Sequence, residues 1–452
     1  MGQFIISFSD FLCGYPLFFW LIGGGIFLFI FSRAVSIRHF GDALKALRTE
    51  NKKGDGEISS LQALFGAISA TVGMGNIAGV AIAIVVGGPG TVFWMWISAI
   101  LGMATKFFEG ALTIMYKGRT REGEARGGPM YVIMEGLGKK YKPLAILFSC
   151  AASIGCLSMV QANQMVEAVI TIAPGQWLAG GDFWLRLVLG IIITVTVAIV
   201  IIGGIRSISK VASKMVPTMV TMYFILVLAV IFMNLDKVPG VFACIFREAF
   251  SLKAGIGGLI GVALTGARRA VYVNEAGAGT AMMMHGASRS KDPVHEGFVA
   301  MLEPAIDSGL ICTLTAIPII MADCYHIDGV QGLSIAMASY DVLLPDVGKY
   351  VLMLLVLFFA FSTMFSYSYY GRVCTEFLFG AKAAKYYEWF YLIMLLVASL
   401  LTVDVAISIE DIAFALMTLP TIFVILRLSP KVIAALKDWE AEHRPSAGRN
   451  PQ

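Results

Sequence analysis

The chain has 452 residues, 58% of them hydrophobic and only 14% charged, with a mean hydropathy of +0.79. Soluble domains carry about 25% charged residues, so a water-soluble globular protein is excluded. The net charge of +4 suits an anionic inner leaflet and does not require nucleic acid.

Roughly twenty apolar residues span a bilayer as a helix, and about eleven such segments follow one another. The first, 16–36, is preceded by no Lys or Arg, so no basic leader region is expected. The second, 62–86, is uncharged, yet Gly73, Gly75 and Gly79 lie at its middle beside Thr71 and Asn76. Every backbone N–H and C=O in hydrocarbon needs a partner. A glycine-loosened stretch at that depth therefore reads as a broken transporter helix with bare half-helix ends. Tight helix packing is the competing explanation for Gly75 and Gly79.

The third segment, 90–116, opens with Phe93, Trp94 and Trp96, which read as an interfacial belt. It also holds Lys106 and Glu109, three apart and able to pair; the alternative is a proton relay. The fourth, 143–171, carries Gln161 and Asn163, either glue between helices or pocket groups. Segments 184–204 and 212–234 are plain spans. The seventh, 255–283, begins with Gly255, Gly257, Gly258 and Gly261 and ends near Asn274 and Glu275, a gate or a buried structural network. The eighth, 294–322, has Glu303 and Asp307 one turn apart. The ninth, 345–371, places Ser362 and Thr363 in an apolar run; such hydroxyls often only bond back to their own helix. Segments 386–404 and 408–428 complete the set.

Lys and Arg set the orientation. With the N-terminus outside, the inner loops collect most of the 34 basic residues, and the loop 323–344 has Asp323, Asp328 and Asp341 but no Lys or Arg. That tally counts Arg268 and Arg269 as inner, although they fall within a span. The expectation is N-terminus out, C-terminus in, in a plasma or inner membrane. Enzyme signatures are missing. The five His show no metal spacing, the seven Cys form no CxxC pair, and there is no P-loop.

Several motifs together resemble a known family, the alanine or glycine:cation symporters, also called the sodium:alanine symporter family. They are Thr71-Val72-Gly73-Met74-Gly75-Asn76-Ile77-Ala78-Gly79, Gly87-Gly88-Pro89-Gly90, Gly127-Gly128-Pro129-Met130-Tyr131, Val160-Gln161-Ala162-Asn163, Asn274-Glu275-Ala276-Gly277 and Phe361-Ser362-Thr363. The resemblance runs over about residues 58–375. It implies an all-α polytopic membrane protein of the bacterial leucine transporter type. One extra N-terminal helix (16–36) precedes a 5+5 inverted repeat, with core helices 1–5 in 62–234 and 6–10 in 255–428. Core helices 1 and 6 are broken, the second break being expected at Gly255–Gly261. The whole chain is then one transporter domain, expected to be a monomer in the lipid bilayer.

The resemblance also implies a role: import of a small neutral amino acid with sodium, alanine or glycine by default. Ser69, Val72, Phe359, Ser362 and Thr363 would hold sodium. Gly73, Gly75, Asn76, Gln161, Leu259, Val262, Ala263, Thr363 and Tyr367 would surround the substrate. The family's usual Leu-Gly-Trp is here Phe365-Ser366-Tyr367, which leaves the side-chain preference open to a larger amino acid such as serine or glutamine. A proton-coupled or ion-independent exchanger of the same fold is the remaining alternative.

Overall fold

A computed structural model describes residues 15–49, 54–120, 122–172, 182–251, 255–327, 332–400 and 403–443, with Phe8, Phe11 and Leu12. Side chains at Tyr15, 171–172, 255–260, Arg268, 271–272 and 403–406 lie outside that description. The described chain is almost wholly helical; a short β-hairpin pairs Gly118–Arg119 with Ala125–Arg126.

The extra helix runs Tyr15–Phe31 and turns sharply at Arg33 and Ala34, both at positive φ. Core helix 1 is two pieces. Ser60–Thr71 starts at a capping box in which Ser59 and Gln62 satisfy each other's backbone N–H groups. A π-helical turn at Gly75–Gly79 then leads into Val80–Gly87. The two pieces bend by 57°.

Core helix 2 is Thr91–Met115. Core helix 3 comprises Lys142–Gly155 and Met159–Ile172, kinked at Ser158 (φ 52°). Core helices 4 and 5 are Phe183–Ile201 and Gly204–Met233. Core helix 6 comprises Gly255–Asn274 and Thr280–Gly286. Core helix 7 runs from Pro293 to Ala322, with a π-helical stretch at Ala305–Ile311. Core helices 8, 9 and 10 are Gly348–Phe379, Ala381–Leu400 and Val403–His443.

Seven of these spans are long and apolar enough to cross a membrane, and the bent pair of core helix 1 makes an eighth. The other three expected segments are the extra helix, core helix 6 and core helix 9. Core helix 4 presents Trp184, Ile192, Val195 and Ile199 outward, each more than half exposed. An apolar face of that size is stable against lipid, not water.

The expected break at Gly255–Gly261 is corrected. Those residues are continuous helix, and the interruption falls at Glu275–Gly279, where Glu275, Gly277 and Gly279 all take positive φ. A helix in the bilayer opens only where other groups take over its backbone hydrogen bonds. Partners exist at the later position: Glu109 accepts from the Gly277 N–H at 2.6 Å, and the Asn274 side chain accepts from the Ala276 N–H at 3.0 Å. Arg269 consequently lies before the break, and its guanidinium donates to the Gly79 carbonyl at 3.0 Å. Its side chain therefore sits beside Gly79 of core helix 1.

Candidate functional site

Core helices 1 and 8 pack together at the first break. Val72 is extended there (φ −74°, ψ 90°), so its carbonyl leaves the helix ladder. The Ser362 hydroxyl donates to the Phe359 carbonyl at 2.9 Å and lies 3.4 Å from the Val72 carbonyl. The Thr363 hydroxyl reaches the same Phe359 carbonyl at 3.2 Å. The Ser69 hydroxyl donates to the Ser362 carbonyl at 2.8 Å. All five residues chosen from the sequence for sodium thus meet in one buried cluster of neutral oxygens. Each hydroxyl keeps lone pairs that a hard cation could use. Gly73 closes the cluster: a Cβ on it would sit 2.6 Å from the Thr363 hydroxyl oxygen.

Asn76 binds the break itself. Its carboxamide oxygen accepts from the Gly73 N–H at 2.9 Å, and its nitrogen donates to the Asp307 carboxylate. This differs from an Asn76 side chain free to meet a substrate. The amino end of Gly75–Gly87 still points into the break, where its N–H groups and dipole favour an anion.

The second break is held from three directions. Glu275 accepts from the Tyr367 hydroxyl of core helix 8 and from the Thr280 hydroxyl at 2.5 Å. Asn274 donates to Ser308 of core helix 7 at 3.1 Å. Lys106 donates to Glu303 at 3.0 Å and lies 4.0 Å from Glu109, all three being fully buried. The Lys106–Glu109 pair expected from spacing is thus the looser contact; the close partner is on core helix 7.

A cavity of about 600 Å³ lies above Met74 and Gly75 and reaches the surface beside Val86. Gln161 and Gln164 line it from core helix 3, Arg269 and Val273 from core helix 6, and Glu410 from core helix 10. The Gln161 carboxamide oxygen is buried without a hydrogen-bond partner among the described residues, so it can serve a ligand. Glu410 accepts from the Met159 and Val160 N–H groups at 2.6 and 3.2 Å, which caps the second half of core helix 3. Tyr367 is half-buried and directed to Glu275.

Val262 and Ala263 are not among the residues that line this cavity, whereas Thr265 of the same helix is. They lie twelve and eleven residues before Asn274, roughly 16–18 Å along the helix. They were chosen around the misplaced break. The Leu259 side chain lies outside the described residues. Sequence reasoning noted Glu109, Glu303 and Asp307 without joining them to the breaks, and it passed over Glu410. Their common signal was an ionisable residue inside an apolar span.

The model of the sodium:alanine symporter family matches residues 1–452. The chain is 35% identical over 453 residues to "Sodium/alanine symporter AgcS" of Methanococcus maripaludis, covering 98% of each. It is 32% identical over 447 residues to "Probable sodium/glutamine symporter GlnT" of Bacillus subtilis, covering 98% of this chain and 91% of the relative. Among solved structures, MhsT in complex with L-phenylalanine superposes with a TM-score of 0.60 at 15% identity, over 84% of this chain and 92% of MhsT. That likeness shows the leucine transporter type of fold.

Proposed function

The chain belongs to the sodium:alanine symporter family, a family of multi-pass membrane transporters and not enzymes, and we propose that it imports a small neutral amino acid together with sodium by alternating access. The observation that supports this best is the meeting of Ser69, Val72, Phe359, Ser362 and Thr363 oxygens at the first break. Sodium occupies that cluster as cargo. The substrate carboxylate takes N–H groups at the amino end of Gly75–Gly87, and Gln161 meets its polar part. Core helices 1, 6 and 8 rock about the bound pair. One sodium crossing ~100 mV supplies ~2.3 kcal/mol, enough for roughly fifty-fold accumulation.

Alanine or glycine is the default substrate. A larger neutral amino acid such as serine or glutamine is the second reading, supported by Tyr367 leaning to Glu275 and by the glutamine named for a relative. In this reading the carrier is a monomer in the plasma or inner membrane, with its N-terminus outside and its C-terminus in the cytoplasm.

Uptake of labelled alanine into proteoliposomes, with a sodium gradient and a choline control, tests the proposal. Unlabelled glycine, serine, glutamine and leucine compete. Sodium-driven uptake blocked by glycine is the expected result. Uptake indifferent to sodium would move the protein to the exchanger reading.

A further inference from the structure

Asp307 has no role in the symport just described, yet it is bonded to Asn76 at the first break. It is fully buried in the π-helical stretch Ala305–Ile311. One carboxylate oxygen accepts from Asn76. The other, Oδ2, has no hydrogen-bond partner among the described residues.

The charged and titratable groups around it come from three core helices. Core helix 7 itself brings Glu303, one turn earlier, and the Cys312 thiol, which lies 3.8 Å from the Asn76 nitrogen. Core helix 6 brings Glu275, while Arg269 of the same helix is turned to the Gly79 carbonyl. Behind Glu303, core helix 2 adds Lys106 and Glu109. Core helix 1 brings only neutral Asn76 and Thr71, whose hydroxyl also approaches Asp307. Lys106 is engaged by Glu303 and Glu109, and Arg269 donates to the Gly79 carbonyl. No ion pair joins either cation to Asp307 among the described residues. An ionised carboxylate in such surroundings is costly.

Two species could neutralise it. Sodium needs a shell of several oxygens, but beside the carboxylate itself these neighbours offer only the Thr71 hydroxyl, because Asn76 cannot supply one. The Gly73 N–H fixes the carboxamide oxygen on its own side, so Asn76 turns N–H groups toward Asp307. A proton needs only the free Oδ2.

We propose that Asp307 is a proton-binding site, separate from the oxygen cluster of core helices 1 and 8, and that its neutral form is the one that accepts the amino acid. The proton comes from water in the outer cavity, forms the Oδ2–H bond, and returns to water on release; no bond in the substrate changes. Deprotonation leaves a negative charge beside the break where the substrate carboxylate binds, which weakens that binding. The inference rests on the symport reading for the place of the substrate.

The test is alanine uptake into proteoliposomes from about pH 5 to about pH 9, which spans the range in which buried carboxyls titrate, with sodium and with choline. In the wild type, KM should climb by up to about tenfold per pH unit above the midpoint, while kcat changes less. Asp307→Asn imitates the protonated side chain. It should keep its uptake and lose the pH dependence of KM. A flat wild-type profile overturns the proposal, as does Asp307→Asn with an unchanged profile. Loss of uptake in a folded Asp307→Asn that Asp307→Glu restores overturns it too, because the ionised form would then be the working one. If Asp307→Asn does not fold, Asp307→Glu must shift the midpoint, and an unmoved midpoint overturns the proposal. Uptake that ignores sodium at every pH fails the symport reading alone; its KM profile still decides the proton site.

Discussion

Gly73 shows how a single missing methyl shapes the site. Its neighbour is the Thr363 hydroxyl, 2.6 Å from where a Cβ would stand. Gly73→Ala must therefore push Thr363 out of the oxygen cluster. We expect the half-saturating sodium concentration to rise about tenfold, equivalent to ~1.4 kcal/mol, with expression unchanged; sodium titration of uptake measures it. Tyr367 works through its hydroxyl. Tyr367→Phe removes one donor from buried Glu275 and leaves Thr280, at a cost of roughly 1–3 kcal/mol in stability, measurable as a lower melting temperature in detergent. If Tyr367 borders the substrate as the family resemblance implies, Tyr367→Trp narrows that side, so competition by glutamine should weaken relative to glycine.

Helices in this protein break where a neighbour can receive the freed backbone. Core helix 1 was legible in the sequence because its break carries its own partner: Asn76 lies three residues after Gly73 and accepts its N–H. Core helix 6 was not, because its partner is Glu109 on another helix. The glycines at 255–261 mimic a break in composition alone, while the real one begins at Glu275. The oxygen cluster was legible through the family resemblance, since hydroxyls at 362 and 363 look like ordinary helix serines and threonines otherwise. The support of the second break also rests on Lys106. Lys106→Met leaves Glu303 and Glu109 buried without their cation and should cost about 3–5 kcal/mol. Lys106→Met combined with Glu303→Leu should recover part of that loss; thermal unfolding of both variants in detergent checks it.

Across the molecule, ion pairs of one arginine tie the starts and ends of several described helices together. Arg126, in the loop after core helix 2, bonds Glu57 before core helix 1 at 2.6 Å, Glu124 at 2.5 Å and Glu376 at the end of core helix 8 at 3.2 Å. The backbone of Ile58 pairs with that of Ser288 beside it. Arg126→Ala unfastens three elements together and should favour opening of that face. Buried Cys374 on core helix 8 should then react faster with a membrane-permeant maleimide, at least about threefold, in a protein with no other cysteine. Unchanged labelling would mean that these ion pairs do not hold that face shut.

Residues 307 and 308 are adjacent on core helix 7, yet they grip different breaks: Asp307 takes Asn76 of core helix 1, and Ser308 takes Asn274 of core helix 6. One rigid turn of backbone thus joins the two places where the carrier bends. A shift that relaxes one hinge loads the other. Under the proposed symport, a half-filled turnover, with an ion crossing alone, would have to strain this shared turn. The covalent spacing of two neighbouring residues would then resist slippage.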